Sequence, residues 1–383
     1  MNAERTDAQA AEVLQRAQRV VVKIGSSLLV DAASGRLNRP WLESLAGELS
    51  RLQGRGQQVL VVSSGAIALG RRYLGMKSGQ RRLEELQAAA AAGQVLLTHA
   101  YQDILDSQGL RIAQVLLTLD DTENRRRYLN ARSTLQTLLR HKVVPLINEN
   151  DTVATQEIRY GDNDRLAARV AEMTSADCLV LLSDVDGLYD ADPASSPDAQ
   201  LLPVVAEITP EIEALAGTAV TEFGTGGMAT KVAAARICRA AGCSTVIASG
   251  HGLRPLEAIE QGGPCTWFAP HGTPLTARKQ WIAGSLEPRG MIVIDAGAQH
   301  ALCAGRSLLP VGVTGVQGDF QRGDAVIVRG PEGTELARGL VSYPSQELRM
   351  IQGCRSEQIE ARLGYRGRDE VIHRDNLVVL NGR

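Results

Sequence analysis

The sequence predicts an α/β protein in two parts: a three-layer αβα sandwich around a largely parallel sheet, then a small C-terminal β-rich domain. Three observations carry this expectation. From residue 19 to residue 249, short β-branched runs that need burial on both faces alternate with amphipathic helical patterns, as strands covered by helices on both sides do. Several of those runs end in Gly, Ser, Asn or Asp, which gathers polar groups where open parallel sheets place their ligand sites. Beyond residue 281 the pattern changes to short strands parted by glycines, at 291–294, 325–328 and 336–341.

Composition narrows the function classes. A chain of 383 residues with 44% hydrophobic content is long enough for two domains, each with its own core. Its 41 basic and 43 acidic residues create no global field that steers it toward nucleic acid or an anionic membrane. Six cysteines (Cys178, Cys238, Cys243, Cys265, Cys303, Cys354) form no C-x-x-C pair and six histidines are scattered, so reduced structural thiols and no metal site are expected. Residues 1–18 lack the apolar core of a secretory signal and no run reaches membrane-spanning length; a cytoplasmic location and no membrane partner are the expectation.

In chain order, residues 8–19 fit a short helix or a loose arm. The strand at 19–24 stops at Lys23 and breaks into Gly25, Ser26 and Ser27. The bare N–H groups of such a turn beside a fixed ammonium favour phosphate, because both oppose negative charge and glycine lets the backbone come close. A buried strand end with a snorkelling lysine fits the same stretch. Pro40 opens a helix that buries Leu42, Leu45, Leu49 and Leu52. Residues 58–70 repeat the plan: a strand, then Ser63, Ser64 and Gly65, then a helix start, which makes either a second anion cradle or a serine cap. Residues 83–106 read as one long helix whose alanines at 88–92 let a neighbouring backbone pack closely. After a strand at 112–117, one charged helix is expected over 122–141, with Tyr128, Leu129, Leu135 and Leu138 inward and Arg125, Arg126 and Arg127 as a solvated face.

The strand at 142–147 runs directly into Asn148, Glu149, Asn150 and Asp151. Asp162, Asn163 or Asp164 caps the next helix, and since only one residue can be the cap, at least one polar group remains for a ligand or a lysine. The strand at 177–182 leads into Ser183 and a turn with Asp184, Asp186 and Asp190, carboxylates suited to a metal, to a ribose or to ordinary turn chemistry. Three glycines and two threonines at 224–230, just before Lys231, make the sharpest phosphate signal, although not at Walker spacing. A strand at 244–249 follows, and glycines and prolines over 262–274 mark a boundary. The expected organisation is an N-terminal arm (1–17), a main domain (18–277), a linker (278–287), the β-rich domain (288–370) and a tail (371–383).

Six motifs, VVKIGSS (21–27), VVSSGAIALG (61–70), VVPLINENDTVAT (143–155), YGDNDRLAA (160–168), LLSDVDGLYDADP (181–193) and GTGGMATK (224–231), stand in the order of the amino-acid kinase family, which the chain resembles from about residue 20 to residue 373. The resemblance is to its branch acting on L-glutamate, and the C-terminal part resembles a PUA domain, a β module often found in RNA-binding proteins. It implies the amino-acid kinase fold and ATP-dependent phosphorylation of the γ-carboxylate of L-glutamate to L-glutamyl 5-phosphate, the first step of proline biosynthesis. ATP and Mg²⁺ are the implied cofactors, and proline the implied feedback inhibitor. Lys23 and Lys231 would contact the transferring phosphoryl group, with Asp164 holding them. Ser64, Gly65, Asp151 and Asn163 would bind glutamate. ATP would meet Lys23, Gly25, Ser183, Asp184 and the loop Thr225, Gly226, Gly227, Met228, Ala229, Thr230 and Lys231. Ser183 stands where relatives commonly carry threonine, and keeps the hydroxyl. A homo-oligomer, tetramer or dimer, and hand-over of the product to a glutamate-5-semialdehyde dehydrogenase are implied as well. Two alternatives stand beside this: another carboxylate kinase, such as one acting on aspartate, and an RNA-binding protein working through the PUA-like domain. Residues 287–383 hold twelve arginines, no lysine and twelve acidic residues, without the basic footprint of a dedicated RNA binder.

The chemistry agrees with the residues. A γ-carboxylate, with an ordinary pKa of about 4.3, is ionised at neutral pH, so no general base is needed. The obstacle is bringing one anion onto another, and fixed positive charge near the equatorial phosphoryl oxygens lowers it. A substrate α-ammonium wants a carboxylate, which Asp151 with Asn163 can provide.

Overall fold

Each β-branched run of the first part forms a strand, and the polar stop behind several of them becomes a helix start. The computed structural model describes residues 3–31, 34–76, 82–153, 162–193, 195–217, 227–284 and 287–380. They divide into two units, residues 1–124 with 130–274, and residues 125–129 with 275–383.

In the first unit, α1 (Ala3–Arg16) buries Ala10 and Leu14 in the main core rather than forming a loose arm. β1 (Arg19–Ile24) passes through Gly25 into the single turn α2 (Ser26–Leu29), and α3 (Arg39–Gly54) buries Leu42, Leu45, Leu49 and Leu52 as their spacing requires. β2 (Gln58–Ser63) enters α4 (Ala66–Tyr73) through Gly65, whose φ of +100° suits glycine. α5 (Leu83–Ser107) lies so close to α4 that a Cβ on Gly93 would stand 1.7 Å from the Ala66 carbonyl oxygen. After β3 (Arg111–Leu117), the single helix expected over 122–141 is two. α6 (Leu119–Glu123) is capped by the Thr118 hydroxyl, Asn124 leaves the helical region at ψ 113°, and α7 (Arg125–Arg140) starts anew. On α7 Leu135 and Leu139 are buried, while Tyr128, Leu129 and Leu138 are only half-buried; Arg126 and Arg127 are exposed, but Arg125 is half-buried.

β4 (Val143–Glu149), α8 (Asp162–Thr174), β5 (Cys178–Ser183), β6 (Val204–Val205), α9 (Pro210–Leu215), α10 (Met228–Ala240), β7 (Ser244–Ser249), α11 (Pro255–Glu260) and β8 (Cys265–Phe268) follow. The stretch expected as a boundary therefore holds a strand: β8 pairs antiparallel with β7 and buries Cys265 and Phe268. Four residues between turn formers are too few to show a period.

The sheet order is β3-β4-β2-β1-β5-β7-β8-β6, with β1 paired in parallel to both β2 and β5. After β4 the chain crosses to the other side of β1, which makes the C-terminal ends of β1 and β5 the switch point where such sheets bind ligands. Alternation settles which face each side chain takes. Val20, Val22 and Ile24 pack with α1, α3 and α5, so Val21 and Lys23 point to the face covered by α8 and α10. All six cysteines are free, and only Cys303 is exposed.

In the second unit, α12 (Pro274–Gly284) begins before the expected linker and occupies most of it; Arg278 on it donates to the Asp375 carbonyl at 3.0 Å and to Asn376 Oδ1 at 2.6 Å. β9 (Gly290–Ile294), α13 (Ala296–Cys303), β10 (Val313–Gly318), β11 (Ala325–Arg329), β12 (Glu335–Leu340), α14 (Ser345–Ile351), α15 (Ile359–Leu363) and β13 (Leu377–Val379) complete it. The five-stranded sheet runs β10-β9-β11-β12-β13 around Ile292, Phe320, Val326, Val328 and Ile372. The expected tail is part of this sheet, since β13 pairs with β12. Among the described residues no helix is long and apolar enough to cross a membrane.

Candidate active site

Three charged side chains meet at the C-terminal end of β1. Lys23 Nζ lies 2.6 Å from Asp164 Oδ1, and Lys231 Nζ lies 3.4 Å from Asp164 Oδ2. The three are 6%, 3% and 0% exposed, respectively 23, 231 and 164, and together they carry a charge of +1. Burial alone would raise the Asp164 pKa, but the Lys23 and Lys231 ammoniums outweigh it and hold this carboxyl below its ordinary value. A buried excess of positive charge is costly unless an anion arrives to use it. Lys23 comes from the alternation of β1, Asp164 from the first turn of α8 and Lys231 from the first turn of α10, the two helices that cover that face of the sheet. Thr230 Oγ1 stands 2.8 Å from both Asp164 Oδ2 and the Gly227 carbonyl oxygen, tying the helix start to the aspartate.

Beside this trio lies a group of amides. Asn163 Nδ2 is 2.8 Å from Ser64 Oγ, 3.1 Å from Asn148 Oδ1 and 3.3 Å from the Ser63 carbonyl oxygen. So Asn163 and Asp164 both turn into the site. Register brings their partners together: Val62 pairs with Ile147, which sets Ser63 beside Asn148. Asp151, two residues past β4, is 8% exposed, and burial pushes its carboxyl up to about 6. No hydrogen bond or ion pair to its side chain is found among the described residues.

The positions expected at a nucleotide surround the same strand ends. Gly25 N–H donates to the Leu182 carbonyl at 3.2 Å, so the first glycine turn lies against the end of β5. Ser183 is buried and its hydroxyl donates to Asp184 Oδ1 at 3.0 Å. Gly227 caps α10, and Met228, Ala229 and Thr230 form its first turn; the Thr230 N–H donates to the Gly227 carbonyl at 3.2 Å, while the N–H groups of Met228 and Ala229 stand at the helix start, where intrahelical acceptors are lacking. Thr225 and Gly226 lie outside the described residues. Asp186 accepts from the Tyr189 hydroxyl at 3.0 Å and Asp190 from the Gln200 N–H at 2.8 Å, so these two carboxylates serve their own turns. Among the described residues no group of three His, Cys, Asp or Glu side chains is arranged to hold a metal.

In the sequence Asn148 is one of four polar residues behind a strand, and Gln94 is an unremarked position of a long helix. One signal is local: Gln94 and Thr98 lie one turn apart, which puts two polar groups on the same face of α5. A second signal is scarcity, for the chain has five lysines and two of them are these buried ones.

Residues 18–249 match the amino acid kinase family, and residues 290–363 match the PUA domain. A glutamate 5-kinase of Paramagnetospirillum magneticum is 60% identical over 96% of this chain and 99% of its own length. One of Rhodospirillum rubrum is 58% identical over 94% of this chain and 96% of its own. A solved carbamate kinase of Giardia lamblia aligns over 67% of this chain and 99% of its own, at 16% identity and a TM-score of 0.49.

Proposed function

The chain belongs to the amino acid kinase family, and from that premise we propose that it transfers the γ-phosphoryl group of ATP to the γ-carboxylate of L-glutamate, forming L-glutamyl 5-phosphate and ADP. The observation that carries the reading is the buried trio Lys23, Asp164 and Lys231, whose net positive charge sits at the strand ends beside two glycine-opened helix starts. A γ-carboxylate oxygen attacks the γ-phosphorus, the bond to the ADP oxygen breaks, and ADP leaves with the electron pair. No proton need move, because the nucleophile is ionised at neutral pH. Lys23 and Lys231 stabilise the charge that spreads over the equatorial oxygens, and Asp164 offsets their mutual repulsion before substrate arrives.

Asp151 and Asn163 fit the substrate α-ammonium: one is a buried carboxylate without a cation among the described residues, the other an amide bonded to Asn148, three residues before Asp151 in the chain. N-acetylated glutamate would leave Asp151 unpaired, and aspartate, one methylene shorter, would hold its oxygen away from the phosphorus. Mg²⁺ would enter with the ATP phosphates and neutralise part of their charge, while Asp186 and Asp190 stay engaged in their own turns. The 60% identity to a named glutamate 5-kinase supports the same substrate. Control by proline, a cytoplasmic setting, a homo-oligomeric state and hand-over to a glutamate-5-semialdehyde dehydrogenase belong to this reading as consequences of the family resemblance. Catalysis is assigned to the first unit and regulation or assembly to the second.

The test compares ADP release with L-glutamate, L-aspartate and N-acetyl-L-glutamate at saturating MgATP. Hydroxylamine should trap the product as the γ-hydroxamate with L-glutamate alone. Equal turnover of either other acid would sink the assignment.

A further inference from the structure

We propose that Gln94, a position on α5 to which the family resemblance assigns no role, is a positioning residue: through Asn148 it helps hold the Asn163 amide in the orientation presented to the substrate. The inference rests on the function proposed above. Three carboxamides stand head to tail. Gln94 Nε2 donates to Thr98 Oγ1 at 3.2 Å, one turn along α5, which turns Gln94 Oε1 toward β4. There Oε1 accepts from Asn148 Nδ2 at 2.7 Å. Asn148 Oδ1 then faces the other way, accepting from the Glu149 N–H at 2.9 Å and from Asn163 Nδ2 at 3.1 Å. Asn163 Nδ2 also faces the Ser63 carbonyl oxygen at 3.3 Å.

The polarity of this chain is not arbitrary. A backbone N–H only donates and a carbonyl only accepts, so Glu149 and Ser63 each demand one orientation of the amide beside them. The Thr98 hydroxyl can donate or accept, so Gln94 takes its polarity from Asn148 and in turn anchors that amide with a 2.7 Å hydrogen bond. Reversing any one of the three amides would set donor against donor or acceptor against acceptor. The consequence appears at the far end: Asn163 Oδ1 is buried and has no partner among the described residues. An orphaned buried acceptor costs free energy until a donor reaches it. An ammonium has three donors to give, and the nearby loop carries Asp151, a buried carboxylate that asks for the same positive charge. Gln94 thereby helps make the pocket selective for a free amine without touching it.

The experiment measures steady-state kinetics with L-glutamate for the full chain and for Gln94→Glu, Gln94→Met and Gln94→Ala. Glu keeps an acceptor facing Asn148, whereas Met and Ala remove it at a half-buried helical position that both residues suit. Loss of one orienting hydrogen bond should raise the glutamate KM about five- to tenfold in the Met and Ala variants, with kcat within about twofold and the ATP KM unchanged. Gln94→Glu should stay within about threefold of the parent KM. A general packing role would instead lower stability in all three and would not separate KM from kcat. Wild-type KM in either the Met or the Ala variant, or equal impairment of Glu and Met, overturns the inference. Absence of glutamate turnover in the unsubstituted protein would strike at the proposed function instead, so the two failures are distinguishable.

Discussion

Lowering pH from 7 to 5 should weaken the use of L-glutamate, chiefly through Asp151. This carboxyl is 8% exposed and burial pushes it up to about 6, so its ionised fraction in the free enzyme falls from about nine-tenths at pH 7 to about one-tenth at pH 5. Only the ionised form pairs with an α-ammonium. The kcat/KM for glutamate should therefore drop about tenfold, with kcat flat, because kcat/KM reports the free enzyme and the paired carboxylate resists protonation in the complex. The substrate γ-carboxylate, with a pKa of about 4.3, adds only about 1.2-fold over this range. A carboxyl at its ordinary pKa of about 3.9 would leave kcat/KM almost unchanged between the same limits. The assay is initial-rate ADP release at half-unit pH steps with saturating MgATP, and circular dichroism at each step to show that the protein stays folded. Asp151→Asn should lie about tenfold to a hundredfold lower at pH 7 and lose the tenfold slope. Glu48, a remote carboxyl that burial pushes up to about 7, titrates in the same window, so Glu48→Gln should keep the slope. A flat profile in the folded protein, or a tenfold fall that persists in Asp151→Asn, would refute the pairing of Asp151 with the ammonium.

Other perturbations test the remaining parts. Lys231→Ala should lower kcat on the order of a hundredfold or more while the glutamate KM moves only a few-fold, and an unchanged kcat would remove this lysine from the transition state. Glu48→Gln bears on stability: Glu48 Oε1 accepts from the Glu257 N–H at 2.6 Å, but Oε2 is buried without a partner among the described residues. Because its folded pKa is raised, the native state holds the proton more tightly than the unfolded chain between about pH 4.5 and 7, and wild-type stability falls as pH rises through that window. The Gln variant should thus match the wild type near pH 4.5 and exceed it at pH 8 by up to about 3 kcal/mol in urea unfolding; no gain at pH 8 would mean the carboxylate is adequately solvated. Gly93→Ala, whose Cβ would sit 1.7 Å from a backbone oxygen, should cost about 1–3 kcal/mol or more, while Gly47→Ala, which meets nothing within 4 Å on α3, should stabilise by about 0.5–1 kcal/mol. Equal urea midpoints for the two would contradict the close approach of α4 and α5.

The sequence by itself determined the order of the long strands and helices of the first unit, though not α2, β6 or α9, because burial on both faces writes an apolar run and an amphipathic helix writes a period, and both are local. Lys23 and Lys231 stand out locally beside glycine turns, whereas the family resemblance alone singled out Asp164 from its neighbours and gave Asp151 and Asn163 their roles. The sequence did not show the break at Asn124, the four-residue strand β8 or the late strand β13, which exist because a neighbouring strand or a cap makes them worthwhile. Only the tertiary structure decided that Asp164 stands between the two lysines and does not cap its helix, that Asn148 and Gln94 orient Asn163, and that Asp186 and Asp190 serve their own turns. The physical reason is that a pKa, an ion pair and the orientation of an amide depend on which groups come within about 3–4 Å, and residues 23, 164 and 231 meet only after the sheet has paired and α8 and α10 have packed across its face.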